Sequence, residues 1–158
     1  SVGRIFAHQV RQNLNLTVTE ENMTRFFIDM KGALDLCQYA MKVVIGGEIF
    51  TRSMGATSIG NLAREFIRNY PNISYEIIGK KNGEKLYEEL FTEVEASRTI
   101  KIDDTYITIP EPSNIGSELN VNINQKYKGY QYCKKPLRSD DPDILQIDPK
   151  DLFEKIKI

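Results

Sequence analysis

Between Val2 and Leu14 the apolar residues Val2, Ile5, Phe6, Val10 and Leu14 recur at helical spacing, with Arg4, His8 and Arg11 between them. This predicts an amphipathic helix with His8 on its polar surface. The β-prone run LTVT, Leu16 to Thr19, and a polar turn, TEENMT, lead to Arg25-Phe26-Phe27-Ile28. Asp29 stands where an N-cap belongs, and Met30, Ala33, Leu34, Cys37 and Met41 line one face of a helix expected to run through Val44. Gly46-Gly47 stops it, and EIF reads as a short strand. Ile59, Leu62, Ala63, Phe66 and Ile67 form the stripe of a further helix over about 58–70, closed by Pro71-Asn72. ISYEIIG reads as a strand, Glu84 opens a short helix through about Phe91, and TIKIDDTYITI gives two strands around the turn-prone Asp103-Asp104.

After Pro110 the pattern weakens. The stretch from PEPSNIG to KKPLRSDDP is polar and rich in turn residues, which predicts a segment lying over the surface. Asp148-Pro149 then caps and opens a last helix, docked by Leu152, Phe153 and Ile156. The expected organisation is therefore a domain over residues 1–112, followed by an extended surface segment and docking helix over 113–158. The alternation of helix and strand implies an α/β or α+β fold.

Composition narrows the function classes. With 158 residues, 41% apolar and 27% charged, the chain is long enough for one working core. A net charge of -1 argues against a nucleic-acid partner. No apolar run is long enough to span a bilayer. Cys37 and Cys133 are far apart, and Cys37 lies on an apolar stripe, so a buried, reduced thiol and a cytoplasmic setting are expected. One histidine and no CxxC leave no expected metal site. The chain opens directly in an amphipathic pattern without Met, as a piece of a longer protein would. Part of the Val2–Leu14 helix or the EIF strand should then present an apolar patch, so a homo-oligomer is expected.

Candidate chemistry centres on two places. Arg25 sits between a polar turn and FFI. Its planar fork suits a diphosphate or a carboxylate, and composition alone favours a salt bridge to Glu20, Glu21 or Asp29. In IIGKKNGEKLYEEL, Lys80, Lys81, Glu84 and Lys85 crowd an Asn82-Gly83 turn, a plausible anion site. Glu84 either complements a helix start or accepts hydrogen bonds from vicinal hydroxyls such as a ribose. Tyr127, Tyr130 and Tyr132 could stack on a base, although anchoring a loop is the commoner use. No glycine-rich dinucleotide turn or P-loop is present, and no catalytic residue is assigned.

TVTEENMTRFFIDMKGALDL, GGEIFTRSMGATSIGNLAREFI and IIGKKNGEKLYEELFTEVEASRT occur in order. Together they resemble the C-terminal part of the UDP-N-acetylglucosamine 4,6-dehydratases, members of the extended short-chain dehydrogenase/reductase superfamily active in polysaccharide and capsule biosynthesis. TYITIPE and LRSDDPDILQIDPKDLFEKI are similar to the inverting, capsule-type branch. The resemblance implies an α+β fragment: the substrate-binding part of that fold without its Rossmann body. The parent would oxidise the sugar C4 by hydride transfer to NADP, eliminate water across C5 and C6, and return the hydride to C6. NADP and the catalytic residues would belong to the missing Rossmann domain, this chain's implied partner. Carried over residue by residue, Arg25 contacts the UDP moiety, main-chain groups of Thr17 and Val18 read the uracil, Lys81 holds the diphosphate and Glu84 the ribose. Relatives carry Arg where Lys81 stands, so a bidentate fork is replaced by a point charge. A UDP-sugar 4-epimerase fragment and a non-catalytic nucleotide-sugar-binding or assembly module are the alternatives.

Overall fold

The computed structural model describes residues 2–156. In chain order the elements begin with α1 (Val2–Arg11), β1 (Leu16–Val18), β2 (Thr24–Phe27), α2 (Met30–Val43) and β3 (Ile49–Arg52). Next come β4 (Gly55–Ser58), α3 (Ile59–Asn69), β5 (Tyr75–Ile77), β6 (Glu89–Phe91) and α4 (Glu93–Ala96). The chain ends with β7 (Thr99–Ile102), β8 (Thr105–Thr108), α5 (Ser117–Lys126), β9 (Leu137–Arg138) and α6 (Pro149–Ile156). The fold is mixed α/β, as the alternation predicts. Helix starts follow their caps: Asp29 Oδ1 accepts the Gly32 N–H at 2.8 Å, and Ser58 Oγ accepts that of Asn61 at 3.1 Å.

The chain divides into two compact units whose sequences interleave. The first comprises Ser1–Phe27, Met54–Glu88 and Ser139–Ile158. Here β1 runs parallel to β5, with Leu16 opposite Tyr75 and Val18 opposite Ile77. β2 runs antiparallel to β4, with Arg25 opposite Thr57. The helical stripes predicted for α1, α3 and α6 converge on one core of Phe6, Leu16, Val18, Met23, Leu62, Phe66 and Phe153. Phe66 meets Phe6 and Phe153 edge-on, with ring centres 5.6 and 5.0 Å apart. Each such buried side chain contributes about 1.5–3 kcal/mol of transfer free energy, which is how three short helices hold two small ladders in place.

The second unit comprises Ile28–Ser53 and Glu89–Arg138. Its sheet runs β3-β8-β7, all antiparallel, and β6 pairs with β9. The β7–β8 hairpin turns through Asp103-Asp104 as expected, with Asp103 at φ 51°, a conformation that aspartate tolerates. Ile100, Ile107, Ile109, Ile123 and Tyr127 form its core.

Three expectations are corrected. Glu84 to Phe91 is not a helix but irregular chain, bent at Leu86-Tyr87, that ends in β6. Its backbone groups bond to distant residues instead of to each other. The polar stretch after Pro110 contains α5, whose Ile123 is fully buried. Finally, the α2 stripe is exposed: Met30 and Met41 are 75% and 73% accessible, and Cys37 is exposed rather than buried. Periodicity shows which side of a helix is apolar, not what covers it. Tyr39 instead packs edge-on against Phe50 of β3 at 6.2 Å.

Candidate functional site

The five residues to which the resemblance gives a nucleotide contact, Thr17, Val18, Arg25, Lys81 and Glu84, all fall in the first unit, whereas Tyr127, Tyr130 and Tyr132 fall in the second. Parallel strands deliver their carboxyl ends to the same edge of a sheet, the edge where open α/β sheets commonly hold ligands. The Val18 carbonyl accepts the Ile78 N–H at 2.9 Å, so the chain beyond β1 leaves beside the chain beyond β5. That second exit is the charged turn. Gly83 has φ +84°, which a side chain would strain, so Asn82-Gly83 can reverse the chain and return Glu84 towards Lys81. Glu84 Oε2 accepts the Lys81 N–H at 3.2 Å. Its Oε1 accepts from the Thr19 hydroxyl at 3.5 Å, which links the turn to the end of β1. Lys81 is exposed and forms no ion pair among the described residues.

Arg25 reaches the same segment from β2. Its Nη2 donates to the Lys85 carbonyl at 2.9 Å and to Met23 Sδ at 2.8 Å. Nη1 donates to the Thr24 carbonyl at 2.8 Å and to that of Leu86 at 3.5 Å. Nε lies 3.5 Å from Glu88 Oε1. The acid that pairs with Arg25 is therefore Glu88, not Glu20, Glu21 or Asp29. Glu21 instead receives the Tyr75 hydroxyl and lies 3.8 Å from Arg64, while Asp29 caps α2. Arg25 thus clamps residues 85–88, and an incoming anion must exchange with Glu88 or a carbonyl.

Thr17 and Val18 lie on β1, Thr17 half-buried and Val18 fully buried. The Thr17 N–H donates to Gln9 Oε1 at 3.3 Å, and Gln9 Nε2 donates to Thr17 Oγ1 at 2.9 Å. A side-chain amide thus already meets Thr17 with the paired donor and acceptor that a uracil imide would offer.

Residues 1–110 match the polysaccharide biosynthesis protein family. The chain belongs to that family. It is 35% identical to the UDP-glucose 4-epimerase of Rickettsia bellii over 108 residues, which is 67% of this chain and 31% of that protein. It is 29% identical to the inverting UDP-N-acetylglucosamine 4,6-dehydratase of Campylobacter jejuni over 141 residues, 84% of this chain and 41% of that protein. The X-ray structure of Pen from Bacillus thuringiensis superposes with a TM-score of 0.78 at 32% identity, covering 98% of this chain and 45% of the other. The chain therefore spans less than half the length of these relatives.

For this member of the polysaccharide biosynthesis family, the structure joins Arg25 to the Lys81–Glu84 turn through Lys85, and Glu84 to the end of β1 through Thr19. It places Thr17 behind Gln9. The sequence assigns no site role to Gln9, Thr19, Glu88 or Ser139. Only Glu88 carries a local signal, as an acid beside a basic turn. A dinucleotide pyrophosphate is usually held where a strand turns through glycines into a helix. Among the described residues the glycines with positive φ are Gly46, Gly47, Gly79, Gly83 and Gly129, and each leads into a strand or irregular chain. No helix among the described residues is long and apolar enough to cross a membrane.

Proposed function

We propose that this chain is the nucleotide-sugar-binding part of a UDP-N-acetylglucosamine 4,6-dehydratase serving polysaccharide or capsule amino-sugar biosynthesis in the cytoplasm. The observation that carries this reading is the convergence of Arg25, Lys81 and Glu84 on one turn beside the carboxyl ends of β1 and β5. The exposed Lys81 ammonium is free to meet a diphosphate. Arg25 joins it by exchanging Glu88 for phosphate oxygens, and a bidentate phosphate contact is the stronger of the two pairings. Glu84, already accepting from Lys81 N–H and the Thr19 hydroxyl, has lone pairs left for vicinal ribose hydroxyls. Thr17 offers the uracil its N–H and hydroxyl once Gln9 moves aside, next to Val18, whose carbonyl stays paired with Ile78. Residues 1–112 hold all of these groups. NADP and the redox chemistry belong to the Rossmann part of the parent, and a homo-oligomer is the expected assembly.

Coverage favours the dehydratase over the epimerase. The dehydratase likeness reaches 84% of the chain, against 67% for the epimerase. The epimerase reading keeps the support of higher identity. Titration calorimetry of the chain with UDP, and with ADP as a base control, tests the binding reading. UDP should bind and ADP should bind more weakly. No heat with UDP, or equal binding of both, would remove the uracil assignment. Product analysis of the full-length parent with UDP-N-acetylglucosamine separates a 4-keto-6-deoxy sugar from a C4 epimer.

A further inference from the structure

We propose that Ser139 is a positioning residue that fixes Arg25 for the nucleotide's phosphates. This inference rests on the nucleotide reading of the first unit. Ser139 follows β9 in the stretch expected to lie over the surface, yet it is only 1% exposed. Its hydroxyl accepts the Glu88 N–H at 2.9 Å, lies 2.8 Å from Thr24 Oγ1 and donates to the Thr24 carbonyl at 3.1 Å. With Thr24 Oγ1 as donor, its one proton and both lone pairs are used. Ser139 N–H also donates to the Glu88 carbonyl at 2.9 Å.

These partners are the two ends of the Arg25 cradle. The Thr24 carbonyl that receives Ser139 also receives Arg25 Nη1, and Glu88, held by Ser139 through both backbone groups, faces Arg25 Nε. Ser139 itself forms no hydrogen bond to Arg25; its partners are Thr24 and Glu88. It fixes the spacing between the strand that carries Arg25 and the segment that Arg25 clamps. A residue without a hydroxyl leaves the Glu88 N–H without its partner and lets both ends drift, so the guanidinium loses its aim before the fold is lost.

The test compares Ser139→Ala and the near-isosteric Ser139→Cys with a core control, Phe153→Leu, in the 158-residue chain. Thiols are weak donors and acceptors, so the cysteine keeps the volume but not the bonds. The readouts are the Arg25 Nε proton in nitrogen-edited NMR, its exchange with water, and the UDP dissociation constant. Both Ser139 variants should speed exchange at Arg25 and weaken UDP about five- to thirtyfold. Phe153→Leu should lower the melting temperature without moving either readout. An unchanged Arg25 signal and UDP constant in both Ser139 variants, or equal shifts in Phe153→Leu, overturns the proposal. If the unaltered chain binds no UDP, the nucleotide reading itself has failed and the Arg25 signal decides alone. Loss of protection in the Ser139 variants but not in Phe153→Leu then supports the positioning role, and retained protection overturns it.

Discussion

Glu88 competes with the ligand for Arg25, so neutralising it should move binding and stability in opposite directions. The perturbation is Glu88→Gln, which keeps the shape and leaves the backbone bonds to Ser139 intact. Its carboxylate lies 3.5 Å from Arg25 Nε, with side chains 47% and 20% exposed. A pair at such a distance is worth about 1 kcal/mol in water, and exposed pairs measure about 0.2–1 kcal/mol. The high exposure of Glu88 places this pair within that range. Removing the charge should therefore cost no more than about 1 kcal/mol of stability in urea unfolding. In calorimetry it should tighten UDP about two- to fivefold, because the diphosphate no longer displaces or faces a carboxylate. The gain should shrink as salt is added. Unchanged affinity would mean that Arg25 does not face the ligand, and weaker affinity would mean that Glu88 itself holds it. Either result refutes the exchange.

Lys81→Ala should weaken UDP by about 1–3 kcal/mol and Lys81→Arg should be tolerated, both read by calorimetry; equal losses would remove the phosphate role. Glu84→Gln should weaken UDP more than 2′-deoxy-UDP, whereas equal weakening would leave Glu84 as a structural acid that only secures the turn. In the second unit, burial pushes the Glu48 carboxyl up, but N–H groups of Gly46 and Ile45 and the Tyr127 hydroxyl outweigh it and hold the pKa below the ordinary value. A lowered folded pKa gives stability that is present above the unfolded value of about 4.3 and lost as pH falls through the folded one, so Glu48→Gln should flatten the acid limb of the urea midpoint. An identical limb in the variant would contradict this. The exposed α2 stripe should promote self-association, and Leu34→Glu should reduce it in sedimentation velocity; no change would discount the stripe.

Helices α1, α3 and α6 were legible because their apolar stripes agree with local stop and start signals: Ser58 caps α3, and Pro149 opens α6. The 84–91 segment was not. Glu-Lys-Leu-Tyr-Glu-Glu has good helix propensity, but the Leu86 carbonyl takes the Thr24 N–H and the Lys85 carbonyl takes Arg25, partners some sixty residues away. Tertiary bonds override a weak local preference. Likewise α5, SELNVNINQK, shows little apolar face, and a single fully buried side chain, Ile123, anchors it.

The site divides in the same way. Arg25, Lys81 and Glu84 stand out locally, as charges beside an apolar strand or a glycine turn. Their mutual approach is set by the parallel pairing of β1 with β5 and by the β2–β4 ladder, which no short window of sequence contains. Ser139 has no local mark at all. A serine in a polar stretch becomes informative only when its partners, Thr24 and Glu88, are seen around it.

The most direct measurement is a titration of the nitrogen-15-labelled chain with UDP, followed residue by residue in NMR. The account predicts saturable shifts confined to Thr17, Val18, the Arg25 side chain and the turn from Gly79 to Lys85, with the core around Phe66 unmoved. No shifts at millimolar UDP, or shifts centred elsewhere in the chain, would contradict it.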